Sequence, residues 1–355
     1  MQITDEDIRS AVAAGILNEA QAASLTALAA ARHGQRDALP ADEEPFEFFR
    51  GFAEIFVSVG LILLISGILA FTSVAGSVLM PAITAALCWT FARYFTLKRR
   101  MALPSIVLTL GFALGAAAAI GFGMGLVRDG WQTERLFLIG YFLVVLAVLG
   151  FWYRSYKVPF SFVPIGLAGM GLIFVLTDSV APLQTGIASW SEMFDLRTGS
   201  GFALGTLIFG LCAFAGGVAF DMRDPYRLGR SSASGFWLHI LAAPALVNTV
   251  ALTALNSGDM TGKLLLAVVL ALVALLALII DRRSFMTAAV VYLAILVGWL
   301  LRAGGETAPM AAVLLVLGII LTLMGTFWTQ MRGAVMRALP NFPGKSRLPP
   351  YVTVE

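Results

Sequence analysis

The sequence predicts an all-α fold: a polytopic integral membrane helix bundle of about ten transmembrane helices, with the N-terminus and the C-terminus in the cytoplasm. Three observations predict it. The chain is 59% hydrophobic and only 13% charged, whereas soluble proteins carry about 25% charged residues. Apolar stretches of about 20 residues, the length that crosses a bilayer, recur along the chain. The short polar connections between these stretches share the Lys and Arg residues unevenly.

The apolar stretches mark ten predicted spans, separated by polar breaks such as "TLKRR", "RSYK" and "DRRS". The spans cover residues 52–73, 75–95, 103–124, 135–153, 158–178, 200–220, 235–256, 262–281, 284–302 and 308–329. The chain then divides into a cytoplasmic helical hairpin and linker over 1–50, a transmembrane bundle over 51–330, and a cytoplasmic amphipathic and proline-rich tail over 331–355.

The distribution of basic residues predicts the orientation. With both termini inside, all but five of the 24 Lys and Arg residues face the cytoplasm. The five on the outside are Arg128, Arg135, Arg197, Lys263 and Arg302. This asymmetry is the one that the positive-inside rule requires. It also accounts for the net charge of +3, so the sequence predicts a lipid bilayer, and no nucleic acid, as the partner of the basic residues.

The first fifty residues predict a small acidic hairpin of two helices. Gly15 fits the end of the first helix, and Asn18 with Gln21 resembles a capping box for the second. One interpretation is a hairpin that rests on the bundle. The other is a docking module through which residues 1–50 bind a cytoplasmic protein partner. A homo-oligomer is also compatible with this composition.

Five stretches resemble a group of uncharacterised bacterial inner-membrane proteins: "SAVAAGILNEAQAASLTALA", "EPFEFFRGFAEIF", "FWLHILAAPALVN", "IDRRSFMTAAVVYLAIL" and "RALPNF…RLPPY". The acidic helical N-terminus before many spans is also similar to domain of unknown function 2157. The resemblance implies a bacterial cell inner membrane and a multi-pass topology. It implies no activity, cofactor or site residue.

The sequence predicts no enzyme, catalytic residue, metal site or cofactor. A metal site needs three or four converging ligands, yet the chain holds only two histidines, His33 and His239, and two cysteines, Cys88 and Cys212. The motifs of serine hydrolases, zinc proteases and nucleotide-binding loops are absent. The acids near the spans, such as Glu54 and Asp221, lie at span ends, which disfavours proton or sodium coupling through a buried acid.

Span 7 contains the sequence "FWLHILAAPALVN", in which a titratable ring, a helix breaker and an amide interrupt an apolar run. At 1.5 Å per residue, His239 lies about 6 Å deep, which suits a ring that reaches the headgroups. Pro244 predicts a helix kink. One helical face carries the candidate cavity-lining residues His239, Asn248, Thr249, Thr253 and Asn256. Such a face lines a cavity or bonds to neighbouring helices, and span 7 is in either case the predicted inward-facing helix.

Two function hypotheses follow. The first is a transporter or permease for a small polar or neutral solute, which a hydrated cavity in span 7 would favour. The alternative is a non-transporting membrane scaffold or sensor that presents its N-terminal hairpin to a cytoplasmic partner. A close-packed core would favour this second function.

Overall fold

The structure is a computed structural model that describes residues 11–12, 14–17, 51–75, 78–125, 135–179, 190–224, 230–257, 260–303 and 308–349. Within these ranges every regular element is helical. The chain divides into two compact units, Met1–Pro45 and Phe46–Glu355. The predicted boundary after residue 50 lies close to this division, and the described part of the tail belongs to the second unit. Asn18 and Gln21 lie outside the described residues.

In the first unit, the structure confirms that Gly15 ends a helix. Gly15 has a φ of +70°, the left-handed conformation that glycine adopts without strain. Its N–H donates to the Val12 carbonyl at 3.0 Å, and the Ile16 N–H donates to the Ala11 carbonyl at 2.9 Å. This pair of bonds is a Schellman motif, which satisfies carbonyls that the helix end leaves unpaired.

The second unit contains eleven helices of eight or more residues in its described part. They are α1 (Phe52–Ala75), α2 (Leu79–Ala92), α3 (Ala102–Gly123), α4 (Arg135–Tyr156), α5 (Phe162–Leu176), α6 (Gly201–Asp221), α7 (Arg230–Leu255), α8 (Met260–Ile280), α9 (Arg283–Ala303), α10 (Ala308–Thr326) and α11 (Trp328–Ala338). A helix therefore lies at each predicted span, α1 to α10 in order, and α11 lies at the predicted amphipathic tail.

The apolar helices indicate a multi-pass membrane protein, but fewer than the ten predicted spans are both long and apolar enough to cross a membrane. Among the described residues, seven are long and apolar enough to cross a membrane, or eight if the pair Leu315–Thr326 and Trp328–Ala338, bent by 77°, counts as one span. α2 falls short because it has 14 residues and then continues as a π-helical turn, Arg93–Lys98. In α9, the apolar segment Arg283–Ala294 is shorter than a membrane span.

Two clusters of buried apolar side chains divide the bundle into an N-terminal and a C-terminal half. The first cluster draws on α1 to α5 and includes Phe112 and Trp152, whose stacked rings lie 4.4 Å apart. The second draws on α6 to α11 and surrounds Val247 and Phe285. α7 contributes to both, since its Trp237 packs in the first cluster. α7 is accordingly the most buried of the seven spans: 56% of its apolar stretch is buried within the protein, whereas the corresponding share for α1 is 17%.

One end of the bundle carries the connections 99–101, 157–158 and 281–282, together with 222–224, the described part of the connection between α6 and α7. We call this the basic end because of its Lys and Arg residues. Glu54 lies at this end and is buried, with only 7% of its surface exposed. Its Oε2 accepts the N–H groups of Ala102 and Leu103, each at 3.1 Å. A carboxylate is favourable at the positive end of a helix, so Glu54 fastens α1 to the start of α3.

The repeated sequence "GFALG" serves close helix packing in both places where it occurs. A Cβ atom at Gly115 of α3 would lie 2.9 Å from the Ala85 nitrogen and the Pro81 carbonyl oxygen of α2, which are backbone atoms. A Cβ atom at Gly205 of α6 would lie 2.5 Å from a methyl group of Ile173 in α5. The first contact is the stricter one because a backbone cannot rotate away as a side chain can.

We predict that Gly115→Ala lowers the thermal unfolding temperature of the detergent-solubilised protein. The added methyl group must push α2 and α3 apart, and overpacking of this kind costs about 1–3 kcal/mol. Gly67→Ala is the matched control, because Gly67 lies in a helix and a Cβ there meets nothing within 4 Å. It should leave stability unchanged or raise it slightly, since alanine favours helix. Equal losses in the two variants would contradict the packing role of Gly115.

Candidate functional site

Asn248 and Thr249 lie in the second half of α7, and both contact protein atoms. Asn248 is 6% exposed, and its Oδ1 accepts a hydrogen bond from the Tyr292 hydroxyl of α9 at 2.7 Å. Thr249 is fully buried and donates to the Ala245 carbonyl of its own helix at 3.3 Å. Pro244 lies inside α7, which runs as one helix from Arg230 to Leu255; the predicted kink stays a prediction.

Thr253 lies in the last turn of α7, and Asn256 directly follows the helix. Both form hydrogen bonds with the connection between α5 and α6. The Leu196 N–H donates to the Thr253 Oγ1 at 3.0 Å. The Asn256 side-chain amide donates to the Ser191 carbonyl at 3.2 Å and to Asp195 Oδ2 at 3.3 Å. The five predicted cavity-lining residues therefore do not form one site: His239 lies in the first half of α7, Asn248 and Thr249 lie in its second half, and Thr253 and Asn256 lie at its C-terminal end.

Asp195 is the charged centre of that connection and is only 2% exposed. Its carboxylate accepts hydrogen bonds from the Arg197 backbone N–H at 2.9 Å and from the Arg197 guanidinium at 3.0 and 3.2 Å. Burial alone would raise the pKa of Asp195, but the hydrogen bonds from Arg197 and Asn256 outweigh it. The pKa of Asp195 is therefore lowered from the ordinary value of 3.8.

The depth of His239 had suggested a ring that reaches the headgroups, but its side chain is fully buried within the protein. Its Nε2 lies 2.9 Å from Oδ2 of Asp221, the last residue of α6. The rings of Phe214 and Phe285 lie edge-on to the imidazole, with centroids 5.5 and 5.7 Å away. The expectation was wrong because it considered depth along one helix, whereas the close packing of α6 on α7 encloses the ring.

Two glycines make this enclosure fit. Gly217 lies four residues before Asp221 on α6, and a Cβ atom there would lie 2.7 to 3.0 Å from three atoms of the His239 ring. Gly235 lies four residues before His239 on α7, and a Cβ atom there would collide with the Asp221 carboxylate. Each glycine lies one turn before the polar residue on its own helix and leaves room for the polar residue on the other helix.

Arg282 completes the cluster from the two-residue connection between α8 and α9. It is 1% exposed. Its Nε donates to Asp221 Oδ2 at 3.0 Å and its Nη2 donates to Asp221 Oδ1, a bidentate ion pair. Nη2 also donates to the Ser232 carbonyl of α7 at 2.8 Å. We call Asp221, His239, Arg282 and Ser232 the Asp–His–Arg cluster; it joins α6, α7 and the connection between α8 and α9.

A second polar group lies directly beside this cluster. The indole N–H of Trp328 donates to Asp281 Oδ1 at 2.8 Å. The Arg332 guanidinium lies 3.4 Å from the same oxygen and donates to the Pro349 carbonyl at 2.6 Å. Because Asp281 and Arg282 are neighbours in the chain, the tail that follows α11 is tied to the connection that carries the Asp–His–Arg cluster.

The charges of the Asp–His–Arg cluster fix its chemistry. Asp221, paired with the Arg282 guanidinium, is ionised and can only accept hydrogen bonds, so the His239 Nε2 bears the proton that it donates. With a neutral imidazole the cluster has no net charge. A buried pair of this kind tolerates the loss of either partner poorly, because the other charge is left uncompensated. The cluster therefore holds one carboxylate against one guanidinium, with the His239 ring bonded to the same carboxylate.

The sequence reasoning missed Asp221 and Arg282 because it assigned both to polar connections. A signal for them was present: Asp221 ends span 6, His239 lies near the start of span 7, and Arg282 follows span 8. In an up-and-down bundle these three positions fall at the same end. In the part of the chain that the structure describes, no group of three or more His, Cys, Asp or Glu side chains could hold a metal ion.

No family model, no curated protein and no solved structure matches this chain. The resemblance to uncharacterised bacterial inner-membrane proteins therefore stays a prediction.

We predict that Asp195→Asn lowers the thermal unfolding temperature at neutral pH, by the equivalent of about 1 kcal/mol, because it removes the charge from the bonds with Arg197. A group with a lowered pKa contributes stability above its ordinary pKa of 3.8, and this contribution is lost as the pH falls through the folded value. The difference between wild type and variant should therefore narrow below about pH 4.

The control is Asp178→Asn, which removes an exposed carboxylate 3.9 Å from Arg135. An exposed pair contributes little to stability, so this variant should unfold like the wild type at neutral pH. A constant difference between wild type and Asp195→Asn down to the lowest pH measured would contradict the lowered pKa of Asp195.

Proposed function

We propose that the protein is a ten-span transporter of the bacterial cell inner membrane, with both termini in the cytoplasm, for a small polar or neutral solute. The observation that carries the proposal is the position of α7. This helix packs in both hydrophobic clusters and is the most buried of the seven spans, yet it bears His239, Asn248 and Thr249.

Transporters bind their solutes near the membrane midplane, where one half of the bundle meets the other, and they open alternately to the two sides by moving one half against the other. α7 has this position between the halves. Its inner end packs on the N-terminal half through Trp237, whose ring lies 4.7 Å from that of Phe160. Most of its length packs on α6, α8 and α9 of the C-terminal half.

The bond between Asn248 and Tyr292 supplies the recognition chemistry. In the apolar interior a polar group needs a partner, and here the amide and the hydroxyl satisfy each other at 2.7 Å. Hydrogen bonds between membrane helices are worth only about 0.6 kcal/mol on average. A solute with a hydroxyl or amide group can therefore replace either partner at little cost. The proposal includes no catalytic residue, no cofactor and no enzymatic activity.

The distribution of basic residues supports the orientation. The connections 99–101, 157–158, 222–224 and 281–282 carry Arg99, Arg100, Lys157, Arg223 and Arg282. The positive-inside rule assigns such an end to the cytoplasm.

A second candidate function, the membrane scaffold or sensor, is favoured by a different observation. Each of the five predicted cavity-lining residues, His239, Asn248, Thr249, Thr253 and Asn256, bonds to protein atoms. A bundle whose polar groups never exchange these partners would serve as an anchor, and residues 1–50 would bind a cytoplasmic protein. The two functions differ in whether water ever reaches Asn248 of α7.

The test is the accessibility of position 248 to water. In a Cys88→Ala, Cys212→Ala background, Asn248→Cys in membrane vesicles should react with small water-soluble thiol reagents, because alternating access exposes the solute site. Val247→Cys is the matched control: Val247 is the preceding residue, is 2% exposed and packs in the C-terminal cluster. It should stay unlabelled.

Leu272→Cys, at a 51% exposed position of α8 that faces lipid under this proposal, controls for reagent that enters through the bilayer. Labelling at 248 alone supports transport, and uptake assays would follow with Asn248 and Tyr292 variants. Absence of labelling at 248 contradicts transport and favours the scaffold, whose partner would be sought with the full-length protein.

A further inference from the structure

The Asp–His–Arg cluster is the most concentrated group of ionisable side chains among the buried residues of the structure, and the proposed solute site does not use it. We propose that this cluster is a proton-binding site and that His239 is the residue that takes up the proton. The inference rests on the proposed function in one respect, because it names the proton as the coupling ion of the transporter.

The proton balance follows from the hydrogen bonds. In the neutral state His239 Nε2–H donates to the Asp221 carboxylate, so the ring accepts a proton from water at its other nitrogen, Nδ1. No other bond forms or breaks. The imidazole becomes imidazolium, and the cluster changes from no net charge to one positive charge. Asp221 then has two cations, the imidazolium and the Arg282 guanidinium, for a single carboxylate.

The surroundings of the cluster make that extra charge unfavourable. The rings of Phe214 and Phe285 both pack on His239 and on each other, with centroids 5.3 Å apart, and Gly217 faces the imidazole from α6. A charge in such an apolar shell is costly unless it is paired. The cluster relieves the cost if Arg282 releases Asp221. We assign the movement to Arg282 because, although it is buried, it lies in the two-residue connection 281–282 and not within a helix.

The described elements packed on α7 carry few other titratable side chains. Residues 159–176, which include α5, contain no titratable side chain, and neither do residues 264–280 of α8. On α9, the Arg283 guanidinium lies over the Trp328 ring, 5.7 Å from its centroid. Asp221 of α6 contacts His239 directly, and Arg282 of the connection binds the same carboxylate.

The position of the cluster couples the proton to the two halves of the bundle. Arg282 binds both Asp221 of α6 and Ser232 of α7. Its release therefore loosens three elements of the C-terminal half together. On the same end of α7, Trp237 packs on Phe160 of the N-terminal half. Protonation of His239 then opens the basic end where the two halves meet.

Proton binding can be measured directly because the chain has only two histidines. In a His33→Gln background, ¹⁵N-histidine NMR of the full-length protein in lipid nanodiscs reports His239 alone. Between about pH 8 and about pH 5, the range in which histidine changes charge, the ring nitrogens should change from the tautomer protonated at Nε2 to the imidazolium. A neutral ring throughout this range, in protein that stays folded, would overturn the proposal.

Opening can be measured with two spin labels. Ser155→Cys on α4 and Arg223→Cys after α6, both exposed positions at the basic end, are labelled in the Cys88→Ala, Cys212→Ala background. Acidification should add a longer distance to the distribution measured by pulsed electron resonance. His239→Gln should abolish the added distance, because its amide still donates to Asp221 but binds no proton. An unchanged wild-type distribution, or an acid response that persists in His239→Gln, would overturn the coupling.

These measurements do not depend on the labelling of position 248. If His239 binds a proton and the basic end opens while position 248 stays unlabelled, the proton site stands and the transport function fails; the protein is then a pH sensor. If position 248 is labelled while His239 stays neutral, transport stands and the proton site fails.

Discussion

The carboxylate of Asp221 is the constraint on which the C-terminal half depends. It ends an apolar span and is almost fully buried, so it needs a countercharge and hydrogen-bond donors within the protein. Arg282 supplies the charge, and His239 supplies a further N–H. Each donor imposes a condition on the fold: His239 requires α6 and α7 to approach closely, and Arg282 requires the connection 281–282 to turn towards them.

Those conditions explain features that otherwise look unrelated. Gly217 and Gly235 are small because the cluster occupies the space of their side chains. Asp281 adopts a positive φ of 56° where the chain turns between α8 and α9, and Arg332 then binds beside it and holds the tail through Pro349. The N-terminal half has a simpler counterpart: Glu54 is buried, and the first N–H groups of α3 pair with it.

Much of this architecture could be predicted from the sequence because it depends on local patterns. The length of the apolar stretches predicted a helix at every span, and the glycine at position 15 predicted a helix end there. The polar residues of span 7 predicted an inward-facing helix, and α7 is the most buried of the seven spans. The partners of those residues could not be predicted, since they lie far away in the chain: Asn248 bonds to Tyr292, and Asn256 bonds to Ser191 and Asp195. Likewise, nothing in the composition of span 2 indicates that α2 ends in a π-helical turn at Arg93.

The central claim is that Asp221 and Arg282 neutralise each other inside the bundle. The most direct test is a double-mutant cycle on thermal unfolding of the solubilised protein, with Asp221→Asn, Arg282→Gln and the two combined. Each single change leaves a buried charge without its partner and should cost about 3–5 kcal/mol. The double variant leaves no such charge, so its loss should be clearly smaller than the sum of the two single losses. A double variant that loses the full sum would show that the two residues act independently, and it would contradict the account.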